Sequence, residues 1–175
     1  MHHVPNVITF FSFFCPYCYD FEKTHNTLNL IKKNLNKNIT VHMYHVNLLG
    51  GKLNYILTKS WIIAEQIGIE EKIMMPIFHG VQKTHTINDI NSIKKIFKEK
   101  AGINEQTFEN FWNSLTIEIL LQKQKQDIQE SKLKHVPTML INGKYVIDYF
   151  NIEKIFKDNF SQQYIRLIQF LIQKK

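Results

Sequence analysis

The chain has 175 residues, 44% of them hydrophobic, with 13 phenylalanines but only 6 glycines and 4 prolines. That is enough apolar side chain for one core, and too little glycine and proline for a fibrous or disordered chain. The formal charge is +7, yet Arg166 is the only arginine and the lysines are dispersed; base and phosphate recognition leans on the forked guanidinium, so nucleic acid is set aside as a partner.

No run of about 18 apolar residues is present, so the chain is not expected to be embedded in a membrane. The start, Met1-His2-His3-Val4-Pro5-Asn6, lacks the basic region and apolar core of an export signal.

Val7 to Phe14 is apolar and aromatic apart from Thr9 and Ser12, as in a strand covered on both faces. A helix is predicted from Pro16 to about Leu35, with Phe21, Leu28, Ile31 and Leu35 at helical spacing and proline in the first turn. A second strand is predicted over Thr40 to Leu48, ended by Gly50-Gly51, which makes a parallel, right-handed strand-helix-strand unit. From Lys52 to Leu133 the periodicity is helical only, at Leu53 to Ile67, near Glu70, at Asp89 to Ala101 and at Glu105 to Leu133. Asn142-Gly143 then predicts a tight antiparallel hairpin between Thr138 to Ile141 and Lys144 to Ile147. The amphipathic tail, Asn159 to Gln173, is expected to close over the sheet through Phe160, Tyr164, Leu167, Ile168 and Leu171.

The only two cysteines lie in Cys15-Pro16-Tyr17-Cys18, between the first strand and the first helix. Spacing of i to i+3 brings both sulfurs to one side of the first turn, within reach of a reversible disulfide. Free N–H groups and the helix dipole favour the Cys15 thiolate, which marks Cys15 as the nucleophile. Cys18, one turn further in, is expected to be shielded and to resolve a mixed disulfide. Two bland readings compete: half of a zinc site, which would need further ligands from the eight histidines, or two inert core thiols. Glu22, four residues after Cys18, is a candidate proton relay for the shielded thiol, although such a residue is more often solvated. His25 and His45 are read as structural. Val136-Pro137 precedes a predicted strand, where proline is tolerated and can adopt the cis form.

The run Phe10-Phe11-Ser12-Phe13-Phe14-Cys15-Pro16-Tyr17-Cys18-Tyr19, with Tyr44-His45-Val46-Asn47, resembles the DsbA family of bacterial thiol:disulfide interchange proteins. The likeness continues through Pro76 to Thr84, Phe111 to Ser114, Val136-Pro137 and Ile141 to Tyr145, and so spans nearly the whole chain. It implies an α/β protein with a thioredoxin-like fold (residues 1–49 and 134–175) and an inserted all-helical domain (residues 50–133). It further implies a cis Pro137 facing the dithiol, and a substrate face of Pro16, Tyr17, Val136 and Pro137 with the Val136 backbone pairing to an extended segment. No cofactor beyond the Cys15-Cys18 disulfide is implied. Implied partners are reduced exported proteins and a DsbB-like membrane quinone reductase for reoxidation, with a monomer acting in the periplasm.

Three positions depart from the family. Tyr17 stands where histidine is usual, so weaker oxidising power is expected. Thr9 and Met43 stand where a buried glutamate and lysine are frequent, and losing both avoids one unpaired charge. The family's leading strand is not evident, so the sheet is expected to lack an edge strand. Two rival readings remain: a cytoplasmic thioredoxin-like reductase or isomerase, and a non-enzymatic peptide-binding module with a vestigial dithiol.

Overall fold

A computed structural model describes residues 6–47 and 51–174 of the chain. The initial pentapeptide, Leu48 and Gly50 lie outside the described residues.

Strand β1 (Val7–Phe11) is buried along its whole length, as its apolar run requires. It pairs parallel with β2 (Val41–His45) and antiparallel with β3 (Thr138–Ile141), which pairs in turn with β4 (Tyr145–Asp148). Among the described residues the sheet has four strands in the order β2-β1-β3-β4. Asn142 and Gly143 turn the hairpin with φ of 52° and 65°, the positive values that Asn-Gly tolerates best.

The helix expected from Pro16 to Leu35 is two helices, α1 (Pro16–His25) and α2 (Thr27–Asn34), broken at Asn26 with φ 46°. The cause is local. Glu22 accepts from Thr27 N at 3.1 Å, Thr27 Oγ1 at 2.5 Å and Leu28 N at 3.2 Å, so its carboxylate caps the start of α2, and asparagine accepts the left-handed link.

Five helices separate β2 from β3: α3 (Lys52–Ile67), α4 (Glu70–Gln82), α5 (Ile90–Ala101), α6 (Glu105–Trp112) and α7 (Leu115–Glu130). The window Glu105 to Leu133 splits because Ser114 caps α7 through Ile117 N. Near Glu70 the helix runs to 13 residues and contains Pro76. Helix α8 (Tyr149–Phe156), unforeseen from periodicity, follows β4 directly with Asp148 as its cap, and α9 (Phe160–Gln173) completes the chain.

Two buried clusters flank the sheet. One joins Ile8, Phe10 and Phe13 to Trp61, Phe78, Phe97 and Phe108; the other joins Val7, Met139 and Ile147 to Ile31, Tyr149, Phe160 and Ile168. The outer edge of β2 is met by side chains of the helical segment. Met43 N donates to Glu65 Oε1 at 2.8 Å, Trp61 Nε1 donates to Met43 O at 2.5 Å, and Gln124 Nε2 donates to His45 O at 2.9 Å. These contacts occupy main-chain groups that an edge strand otherwise exposes.

Candidate active site

Between β1 and α1 the chain makes a hydrogen-bonded turn. Cys15 N donates to Ser12 O at 3.0 Å and Phe14 N donates to Ser12 Oγ at 3.3 Å. Cys15 thereby takes the extended N-cap conformation, with Pro16 opening α1, and its sulfur accepts from Cys18 N at 3.2 Å. The two cysteines are free thiols 2.9 Å apart, Cys15 partly exposed and Cys18 buried.

Their environments push them in opposite directions. The Cys18 thiol donating to its sulfur lowers Cys15 to about 7; burial opposes this, while the backbone N–H groups of Cys18 and Tyr17 add to it. Burial pushes Cys18 far up, and the neighbouring Cys15 adds to the rise. One thiol of the pair ionises near neutrality while the other stays protonated.

The Val136–Pro137 peptide is cis, and the Cys15 thiol lies 3.6 Å from Val136 O. The structure thus brings Cys15, Cys18, Val136 and Pro137 together from opposite ends of the sequence. Val136 and Pro137 are themselves buried, so the exposed part of this face is formed by Pro16 and by Tyr17, which is 63% exposed. Tyr17 packs edge-on against Phe150 at 4.9 Å, and Phe150 stacks on His135 at 5.8 Å. Phe150 was illegible in the sequence because α8 was; His135 had only its place beside Val136 to signal it.

Glu22 is buried, its two oxygens turned to the start of α2, and burial raises its carboxyl above the ordinary range despite the Thr27 and Leu28 donors. Thr9 lies 3.5 Å from the Tyr149 hydroxyl, which is 2.6 Å from that of Tyr164, so neutral hydroxyls fill this part of the core. Of the two histidines set aside, His25 pairs with Glu153 at 3.0 Å and stacks on Phe160, and His45 is fully buried against Phe13 and Thr58. Among the described residues no group of three or more His, Cys, Asp or Glu is placed to hold a metal ion, and no helix is long and apolar enough to cross a membrane.

The thioredoxin family model matches residues 4–158. The thiol:disulfide interchange protein DsbA of Buchnera aphidicola subsp. Acyrthosiphon pisum is 64% identical over 173 residues, 99% of this chain and 82% of that relative. DsbA of Escherichia coli is 38% identical over 171 residues, 98% of this chain and 82% of the relative. The chain belongs to the DsbA family.

Solved DsbA structures agree. That of Klebsiella pneumoniae superposes with a TM-score of 0.88 at 26% identity, covering 99% of this chain and 92% of the other. A Proteus mirabilis DsbA variant, solved with a non-covalently bound peptide PWATCDS, gives the same TM-score and coverage at 28% identity. The DsbA fold, a thioredoxin-like domain carrying an inserted helical domain, is therefore the fold of this chain, and its class is that of the thiol:disulfide oxidoreductases.

Proposed function

We propose that this protein donates a Cys15-Cys18 disulfide to reduced substrate proteins, with Cys15 as the exchanging sulfur and Cys18 as the resolving one. The observation that carries this reading is the unequal pair: a Cys15 sulfur held at the mouth of α1, accepting from Cys18 N at 3.2 Å, beside a buried Cys18.

In the oxidised protein a substrate thiolate attacks Cys15 Sγ. The Cys15–Cys18 bond breaks, a substrate–Cys15 disulfide forms, and Cys18 leaves and takes up a proton. A second substrate thiolate then attacks the substrate sulfur, and Cys15 leaves as the thiolate. The substrate dithiol is oxidised and the Cys15-Cys18 pair is reduced. A low Cys15 pKa favours this direction, because the better leaving thiol departs faster and the reduced state is stabilised. Glu22, one helical turn along α1 from Cys18, is assigned the proton exchange with Cys18; its raised pKa supports that role.

Pro16, Tyr17, Val136 and Pro137 are assigned the substrate face, an extended segment lying along Val136 as an added strand does. Residues 1–49 with 134–175 form the thioredoxin-like domain in this reading, and residues 50–133 the helical one. The site of action is the periplasm, the protein is a monomer, and reoxidation falls to a DsbB-like membrane quinone reductase; kinship with DsbA supports all three. Equilibration with glutathione buffers tests the reading. A potential more oxidising than that of a thioredoxin, though lowered by Tyr17, is expected, whereas a thioredoxin-like potential would favour a cytoplasmic reductase instead.

A further inference from the structure

The last turn of α4 reaches into the dithiol turn. Gln82, the final residue of α4, uses its side-chain amide twice: Nε2 donates to Phe13 O at 2.8 Å and to Cys15 O at 3.0 Å. Both of its N–H groups are thereby spent on the two carbonyls that bracket the approach to Cys15. The same Cys15 carbonyl also accepts the first turn of α1, from Tyr19 N at 3.2 Å.

Gln82 is itself held in place. The chain beyond α4 folds back across its last turns, with Thr86 N donating to Gly80 O at 2.9 Å. A Cβ on Gly80 would stand 2.6 Å from Ile87 Cδ1, so the buried Ile87 side chain occupies space that only a glycine leaves here. Phe78, one turn earlier, packs on Phe13 at 4.9 Å and on Tyr19 at 5.7 Å. Lys83, the next residue, holds its ammonium 5.2 Å from the centre of the Tyr19 ring. The end of α4 is thus seated on both sides of the dithiol turn.

We propose that Gln82 is a positioning residue for the dithiol: its amide pins the carbonyls of Phe13 and Cys15, so that Cys15 keeps its N-cap conformation and its sulfur stays in front of the Cys18 N–H. This rests on the reading of Cys15 as the exchanging sulfur. Without Gln82 the turn relaxes, the Cys18 N–H···Sγ contact lengthens, and the thiolate loses part of its stabilisation. The neighbours that bear on this sulfur differ in kind: Ser12 sets the turn, Cys18 donates to the sulfur, and Gln82 holds the turn's carbonyls without touching the sulfur.

The test uses Gln82→Met, which keeps length and removes both donors, and Gln82→Glu, which keeps shape and sets acceptor oxygens against the two carbonyls. Three quantities are read on the full chain: thermal unfolding, titration of the Cys15 thiolate by its ultraviolet absorbance, and disulfide transfer to a synthetic peptide with two cysteines. Both variants should move the thiolate titration upward, Gln82→Glu further, and slow transfer about three- to tenfold, the factor that one or two lost hydrogen bonds supply. Lower thermal stability with an unmoved titration and unchanged transfer would make Gln82 a structural contact only and overturn the proposal. If the unsubstituted protein transfers no disulfide, the functional reading fails. The thiolate titration, which needs no substrate, still decides the role of Gln82.

Discussion

The backbone N–H of Cys18 points at the sulfur of Cys15 from 3.2 Å, while the Cys18 thiol supplies the largest part of the lowering that brings Cys15 to about 7. On the roles proposed above, the resolving cysteine is therefore also what activates the exchanging one. Alkylation of Cys15 by iodoacetamide should be half-maximal near pH 7. Cys18→Ala should carry that midpoint upward toward 9.0, and Cys18→Ser, which keeps a donor, should carry it less far. A Cys18→Ala profile lying on that of the unsubstituted protein would remove the thiol from the account.

The same lowering links stability to pH. The folded Cys15 ionises near 7 and the unfolded one near 9.0, so the unfolded state holds more protons between these values. Cys15 therefore contributes stability to the reduced protein that grows as pH rises through that window, and contributes none below it. Cys15 is partly solvent-exposed, which screens the effect and leaves the direction as the secure expectation. Cys15→Ser should lower the urea-denaturation midpoint at pH 9 relative to that at pH 7, compared with the same difference in the unsubstituted protein.

Tyr17 is exposed and leans on Phe150, so a substitution there changes charge near the dithiol with little disturbance of the core. Tyr17→His places a titratable cation close to Cys15, and its imidazolium should lower the thiolate pKa by about half a unit and make the disulfide more oxidising. An unchanged glutathione equilibrium in Tyr17→His would separate the character of this dithiol from the residue between its cysteines.

How much of this was legible in the sequence depends on the range of the contacts involved. Strand β3 and the Asn142-Gly143 turn follow from local propensity, and the Cys15-Pro16-Tyr17-Cys18 turn from its position after an apolar run; each appears in place. The break at Asn26 was hidden because it depends on Glu22 turning its carboxylate onto Thr27 and Leu28, whereas the apolar spacing continues through it. Helix α8 was hidden because it starts within one residue of β4 and has no polar linker to announce it. The contacts made by Gln82 and Val136 with the dithiol turn cross 67 and 121 positions of sequence, and no local pattern encodes them.

Glu22 combines two assignments that one substitution can separate. Glu22→Gln keeps the shape but weakens the acceptor that binds Thr27 and Leu28, and should cost about 1–2 kcal/mol of stability. If Glu22 also exchanges a proton with Cys18, mixed disulfides with a trapped peptide should form and resolve several-fold more slowly in the variant at pH 7. Lost stability with unchanged resolution would leave Glu22 as the cap of α2 alone.

Glu65 offers a test of how the helical segment is clasped to the sheet. Its carboxyl accepts Met43 N at 2.8 Å, and burial pushes its pKa up to about 8; Glu70 adds to the rise, while the Met43 N–H and Lys32 oppose it. His42, 4.0 Å from Glu65, is held below its ordinary range by burial first and by Lys123 second, with Asp127 opposing. Between pH 4.5 and about 8 the folded Glu65 keeps a proton that the unfolded chain releases, so its contribution to stability is present below 4.5 and is lost as pH rises to about 8. Glu65→Gln keeps an oxygen for Met43 N and cannot ionise. It should therefore be more stable than the unsubstituted protein by about 1–2 kcal/mol at pH 8 and nearly equal to it at pH 5. Urea denaturation at the two pH values measures the difference. Equal gaps at both would mean that Glu65 ionises freely within the fold, and that the edge of β2 is held by the Trp61 and Gln124 donors instead.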